Sequence, residues 1–244
     1  MCRIPFFKNI DTQPNMEILI ITLTIVPSLA LLYYVYKKDP KREPWKLVLK
    51  TFAIGALSVI PAVLVEMFFD SITKEVLDEN TYFYSFIDNF FQVALVEEFF
   101  KWLVVMFFIW NSSFFDDTYD GIVYCVCASL GFALFENIFY VMDGGLETAI
   151  LRSLFTGHAI FGVVMGVYVS RARHNKHLSQ TFQKHKNLML SLAVPTILHG
   201  AYDFLCGSGD GTLVLIFLIF YVLIVVWAFK LIKREAANDH SLSE

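Results

Sequence analysis

The chain has 244 residues, 57% of them hydrophobic and 17% charged, with a mean hydropathy of +0.58 and a formal net charge of −4. Globular domains carry about 45–50% apolar and about 25% charged residues, so this composition excludes an ordinary water-soluble domain. No basic excess supports nucleic-acid binding.

A membrane helix needs about 20 predominantly apolar residues. Seven segments meet that length, at roughly 17–36, 46–69, 85–110, 120–141, 148–170, 187–205 and 212–231. The predicted fold is all-α: a polytopic membrane helix bundle of about seven transmembrane helices, forming one domain over 1–244. Its motif-bearing core lies at about 29–205, and a short cytoplasmic tail follows at 232–244. The polar end of that tail, from Glu235, is read as mobile. Met1 to Asn15 contain Arg3 and Lys8 but no small-residue cleavage site before the first apolar run, which is read as a retained helix. Pro195 would kink the sixth segment. Gly207-Ser208-Gly209-Asp210-Gly211 reads as a turn. The four cysteines (Cys2, Cys125, Cys127 and Cys206) include no CxxC pair. Cys125 and Cys127 would point about 200° apart on one helix, as packing residues do.

Loop charge sets the predicted orientation. Lys37, Lys38, Lys41, Arg42 and Lys46 fill the first loop. Arg171, Arg173, Lys176, Lys184 and Lys186 fill the fifth, and Lys230, Lys233 and Arg234 follow the last helix. The second loop (Asp70, Glu75, Asp78, Glu79), the fourth (Asp143, Glu147) and the sixth (Asp210) have almost no basic residues. The positive-inside rule then places the N-terminus outside and the C-terminus in the cytoplasm. Arg3, Lys8 and the acidic third loop (Asp116, Asp117) run against the pattern.

Ionised residues interrupt four of the spans. A charge near the bilayer centre costs at least about 2.5–3.5 kcal/mol, so such groups are rare without a function. Glu97 and Lys101 are spaced i,i+4 and Glu98 and Lys101 i,i+3, so all three can meet on one helix. One lysine neutralises one carboxylate; the second glutamate is protonated or has another partner. Glu136 and Tyr140 repeat the i,i+4 spacing, as do His199 and Asp203, while His158 is followed by Gly162. Each pair alone fits a bland role: an ion pair, a carboxyl–phenol bond, a satisfied imidazole. Counting about 1.5 Å per residue from the outer ends, Glu136 lies about 8 Å deep, His199 about 9 Å, His158 about 15 Å and Glu97 about 18 Å. Four helices thus bring polar groups to one layer, between the midplane and the outer leaflet. Glu66, Asp88 and Arg152 fall near outer helix ends, where they can snorkel, and Asp120 falls near an inner end.

These residues resemble a known family. Glu97-Glu98-x-x-Lys101, Phe135-Glu136-x-x-x-Tyr140, His158-x-x-x-Gly162 and His199-x-x-x-Asp203 match, in order, the four motifs of the PrsW family of intramembrane proteases. The resemblance runs from Leu29 to Asp203 and includes Arg42-Glu43-Pro44 in the first loop. It is similar more distantly to the CAAX endopeptidases and bacteriocin-immunity-type membrane proteases. It implies a protein of the bacterial plasma membrane. Such a protein makes the first, extracytoplasmic cut in a single-pass membrane substrate such as an anti-sigma factor.

The resulting assignment is a membrane endopeptidase. Glu97 or Glu98 is the base that activates water, oriented with His158. His199, oriented by Asp203, donates to the oxyanion. Lys101 tunes the glutamate pair, and Glu136 with Tyr140 braces the site. No cofactor is required by the sequence. A zinc site remains open, with His158, His199, Glu97 and Glu136 as candidate ligands, although no His-Glu-x-x-His spacing is present. Two other classes stay in view: an ion-coupled transporter, which inverted repeats would favour, and a non-catalytic membrane binding protein.

Overall fold

The computed structural model describes the backbone of residues 14–154 and 156–242 and, within them, all side chains except those of 14–21, 23–24 and 141–154. Among the described residues nine α-helices follow in chain order: α1 (Pro14–Lys38), α2 (Trp45–Leu57), α3 (Val59–Val76), α4 (Tyr82–Ile87), α5 (Leu95–Phe108), α6 (Asp120–Leu154), α7 (Gly157–His177), α8 (Thr181–Gly207) and α9 (Gly211–Ala237). A π-helical segment, Asp88–Ala94, joins α4 to α5 without a break. Among the described residues there is no strand, only one isolated bridge between Asp117 and Ser241. The protein is an all-α membrane helix bundle. Four stretches are long and apolar enough to cross a bilayer: Trp45–Val76, Asp120–Tyr140, Thr181–Gly207 and Gly211–Ala237.

Local chemistry explains the breaks. Pro44 adopts an extended conformation and starts α2. The step between α2 and α3 falls at Ser58, because Pro61 has no N–H to give the carbonyl of Leu57. Ser58 stays in the right-handed region, so the two helices form a single 32-residue span. Gly209 takes a positive φ of 67° between α8 and α9. Asp210 then caps α9, accepting from the N–H of Thr212 at 2.8 Å and Leu213 at 3.1 Å. The expected turn at 207–211 is present.

α6 is the central helix. From Asp120 to Tyr140, 72% of the span is buried, against 17% for Gly211–Ala237, which presents its apolar side chains outward as a lipid-facing helix does. Close approach requires glycine: a Cβ on Gly131 would lie 2.0 Å from the Phe52 carbonyl oxygen of α2.

The structure revises several expectations. The loop predicted around Asp143 and Glu147 is helical backbone, since α6 continues to Leu154. Gly144 and Gly145 look turn-like, but glycine costs only about 1 kcal/mol in a helix, and the flanking turns carry it through. His158 therefore lies in the first turn of α7 rather than deep within a span begun at 148. The polar tail is also not free. α9 runs to Ala237, and the following residues dock on the α5–α6 connection. The N–H of Thr118 donates to the His240 carbonyl at 3.0 Å, and that of Leu242 donates to Asp116 at 2.7 Å. Leu242 is buried in the apolar cluster that also contains Val105, Ile109 and Phe115. Leu242, these backbone bonds and Asp239, which accepts from the N–H of Tyr119 at 2.8 Å and from the Thr118 hydroxyl at 3.0 Å, hold the segment down. Arg3, Lys8 and Cys2, and the side chains of Asp143, Glu147 and Arg152, lie outside the described residues.

Candidate active site

The polar residues of four helices converge on one ammonium group. The π segment adds a residue to one turn just before α5, a feature frequent at functional sites. Gln92 within it accepts a hydrogen bond from Thr73 of α3 at 2.8 Å. The first turn of α5 then presents Glu97 and Glu98, with Lys101 one turn on. Lys101 Nζ lies 3.0 Å from Glu97 Oε2, 2.8 Å from Glu98 Oε1 and 3.0 Å from Nδ1 of His158 on α7. It sits 4.2 Å from the centroid of the Phe132 ring, a cation–π contact from α6.

Two imidazoles flank this centre. His158 Nε2 is 2.7 Å from Glu136 Oε2 of α6. His199, on α8, places Nδ1 3.0 Å from Glu98 Oε1 and Nε2 3.2 Å from Asp203 Oδ2. Both imidazoles approach Glu97 Oε2 to 3.9 Å, Nδ1 from His158 and Nε2 from His199. The two rings stand 5.1 Å apart, and Phe161 stacks on His199 at 4.8 Å. α8 is registered against α5 by Trp102, whose indole N–H donates to Ser191 Oγ at 2.9 Å. Gly162, the motif glycine on α7, faces Ser129 of α6, where a Cβ would meet Oγ at 2.8 Å.

All eight residues singled out from the sequence are described, and seven are joined by these contacts. Tyr140 is half-buried one turn beyond Glu136. Glu136 turns to His158, the contact that brings α6 into the cluster. Sequence reasoning missed Glu66. Its Oε1 is shut off from solvent, without a hydrogen-bond partner among the described residues, and Glu97 and Glu136 are its foremost charged neighbours. The signal was present: Glu66 interrupts an apolar run as the motif residues do. Phe132 and Phe161, which face the charged groups, were also indistinguishable from packing residues.

The donor set fits a divalent metal. Glu97, Glu98, His158 and His199 each offer a ligand atom, all within 4.8 Å of one another. This set includes Glu98 where Glu136 was expected. Two imidazoles with carboxylates suit zinc-type coordination. Glu98 Oε2 is buried with no hydrogen-bond partner, which leaves a carboxylate oxygen to be satisfied. Glu136 and Asp203 hold the outer faces of the two imidazoles, as carboxylates commonly do for metal-binding histidines. Five carboxyl groups (Glu66, Glu97, Glu98, Glu136 and Asp203) gather around one ammonium and two imidazoles. Buried excess charge of this kind calls for a cation or for protons.

Comparison with known proteins agrees with this geometry. Residues 43–229 match the family described as PrsW family intramembrane metalloprotease. Protease PrsW of Oceanobacillus iheyensis is 41% identical over 225 residues, covering 91% of this chain and 98% of that protein. Protease PrsW of Bacillus subtilis is 36% identical over 231 residues, 92% of this chain and 98% of that one. Protease PrsW of Clostridioides difficile is 30% identical over 234 residues, 93% and 94% of the two chains. No solved structure matches the chain. With the family matched across its membrane core and relatives aligned over nearly their whole length, the chain belongs to the PrsW family of intramembrane metalloproteases and is a membrane-embedded hydrolase of peptide bonds.

Proposed function

We propose that this protein cleaves a single-pass membrane protein of the anti-sigma-factor class on the extracytoplasmic side of the bacterial plasma membrane. Glu97 is the base and His199 the oxyanion donor. The observation that carries the reading is the pair of 3.9 Å gaps between Glu97 Oε2 and the two imidazoles. These gaps are too long for direct hydrogen bonds and suit a bridging water. Glu98 Oε1 holds both Lys101 and His199 directly, whereas Glu97 Oε2 holds only Lys101 directly.

If a zinc-type ion is bound, Glu97, Glu98, His158 and His199 would hold it, and it would supply Lewis acidity toward water and the scissile carbonyl in place of the His199 N–H. The chain's own groups do the rest. Glu97 takes a proton from the attacking water and returns it to the leaving amide nitrogen. In the metal-free site His199, oriented by Asp203 through Nε2, donates to the developing oxyanion from Nδ1. Lys101 holds both glutamates in place. Glu136 fixes the ring of His158.

Orientation rests on the loops. Lys41 pairs with Asp116 at 2.5 Å, Arg171 with Glu235 at 3.7 Å, and Lys176 with Asn111 at 3.1 Å. The basic loops and the acidic α5–α6 connection therefore share one end of the bundle, which removes the third-loop exception to the charge rule. That end is read as cytoplasmic, with the C-terminus there and the N-terminus outside. His158 lies 19 residues, about 28 Å, from the basic end of α7, which favours a site in the outer half of the bilayer.

The test is co-reconstitution with tagged single-pass anti-sigma factors, with fragments mapped by mass. Glu97→Gln abolishes cleavage while expression and substrate binding persist. Normal turnover in Glu97→Gln, or a first cut on the cytoplasmic side, overturns the reading.

A further inference from the structure

The largest concentration of buried charge outside the active site lies at the opposite, basic end of the bundle. Asp39 and Glu43 come from the short connection between α1 and α2, and Asp120 opens α6. Their exposures are 3%, 4% and 0%, so none is solvated as a surface acid is. Each offers a ligand oxygen, all within 4.8 Å of one another.

Donors hold each carboxylate in place. Asp39 accepts from the N–H of Lys41 at 3.0 Å and of Glu43 at 3.3 Å. Glu43 accepts from the Tyr124 phenol. Asp120 Oδ2 accepts from the N–H of Asp116 at 2.9 Å and of Asp117 at 2.7 Å. Its other oxygen, Oδ1, is buried with no donor among the described residues, and the Asp120 carboxyl lies within hydrogen-bond reach of that of Glu43. Lys41 does not fill the gap: its ammonium is spent on Asp116 at 2.5 Å and Asp117 at 2.9 Å, and its side chain is 62% exposed. The ligand that this arrangement lacks is a cation at the meeting point of three inward carboxylates.

We propose that Asp39, Glu43 and Asp120 form a second metal site, separate from the active site, that takes a hard divalent cation of the magnesium or calcium kind. The choice of ion follows from the donors. All are carboxylate oxygens with no nitrogen or sulfur, which suits hard cations, whereas the active-site set contains two imidazoles. The bound ion ties the α1–α2 connection to the start of α6. Through the backbone bonds of Asp120 it also fixes the α5–α6 connection on which the C-terminal segment docks. The site is a structural clamp at the end of the bundle away from catalysis.

Terbium luminescence on the full-length protein in nanodiscs tests this. Terbium takes hard oxygen sites, and Tyr124, in contact with Glu43, is the sensitiser. The expected result is tyrosine-excited emission saturating at one ion per chain and displaced by calcium or magnesium. Glu43→Gln, which keeps its contact with Tyr124, and Asp120→Asn weaken binding by about tenfold or more, because affinity follows ligand charge. His158→Ala, which alters only the active-site set, leaves the emission in place. A titration of the unaltered protein guards against a variant that fails to fold: calcium or magnesium raises its unfolding temperature with zinc already saturating. If terbium emission is absent, or persists unchanged in Glu43→Gln and Asp120→Asn, the site does not exist. If neither cation moves the unfolding temperature, the facing carboxyls share a proton instead, and the proposal fails.

Discussion

Nζ of Lys101 lies 3.0 Å from Nδ1 of His158, a contact that spans 57 residues of sequence and joins α5 to α7. An ammonium has no acceptor, so Nδ1 must be the unprotonated nitrogen of that ring, and the protonated Nε2 is the one 2.7 Å from Glu136 Oε2. One lysine thereby sets the tautomer of a histidine on another helix and the direction of a carboxylate on a third.

Lys101→Met should be the most damaging single change to the site. It removes the ammonium that pairs with the two buried glutamates, Glu97 and Glu98, and breaking a buried ion pair from one side costs about 3–5 kcal/mol. Thermal unfolding in detergent should show the loss, and cleavage of reconstituted substrate should disappear. Arginine, larger and planar, should not restore activity. Turnover that survived Lys101→Met would remove the lysine from the assignment.

Glu66→Gln looks harmless if Glu66 is taken as a snorkelling residue near a helix end. Its inaccessible oxygen, with Glu97 and Glu136 as neighbours, reverses that expectation. Turnover should fall by at least a few-fold because the charge surrounding the site changes. Glu75→Gln, at the exposed end of α3, should behave as the unaltered protein does. Equal rates for the two variants would show that Glu66 takes no part.

Metal removal should stop cleavage. Dialysis against a strong zinc chelator should abolish activity, and zinc should restore it while magnesium does not, because imidazole ligands disfavour magnesium. Metal analysis of Glu97→Gln and His199→Ala should show reduced zinc. Full activity after exhaustive chelation would favour water activation by glutamate and histidine alone.

Leu242→Ala should destabilise the protein although it lies at the extreme end of the chain. Truncating a buried leucine costs about 2–5 kcal/mol. Asp239→Ala should remove two hydrogen bonds that tie the tail to Thr118 and Tyr119, each worth about 1 kcal/mol. Both losses should appear in thermal unfolding, and limited proteolysis should cut sooner after Ala237. A tail that resists proteolysis equally in all three proteins would mean that the docking contributes nothing.

What the sequence by itself determined was what a single helix determines. Long apolar runs require a bilayer, because an unpaired backbone in lipid is too costly for anything but helices or closed barrels. The spacing of Glu97, Glu98 and Lys101, and that of His199 and Asp203, placed those side chains in contact because residues three or four apart share a helix face. Only the tertiary structure decided the rest. The pairing of His158 with Lys101 and Glu136, and of His199 with Glu98, depends on how helices are rotated and pressed together. That is set by many contacts at once, such as Gly131 against Phe52, rather than by any local pattern. For the same reason Glu66 and Asp120, read from the sequence as residues near helix ends, came to face buried carboxyls. The extension of α6 to Leu154 and the docking of Leu242 were hidden too, since a glycine pair and a polar tail are weak local signals that packing overrides.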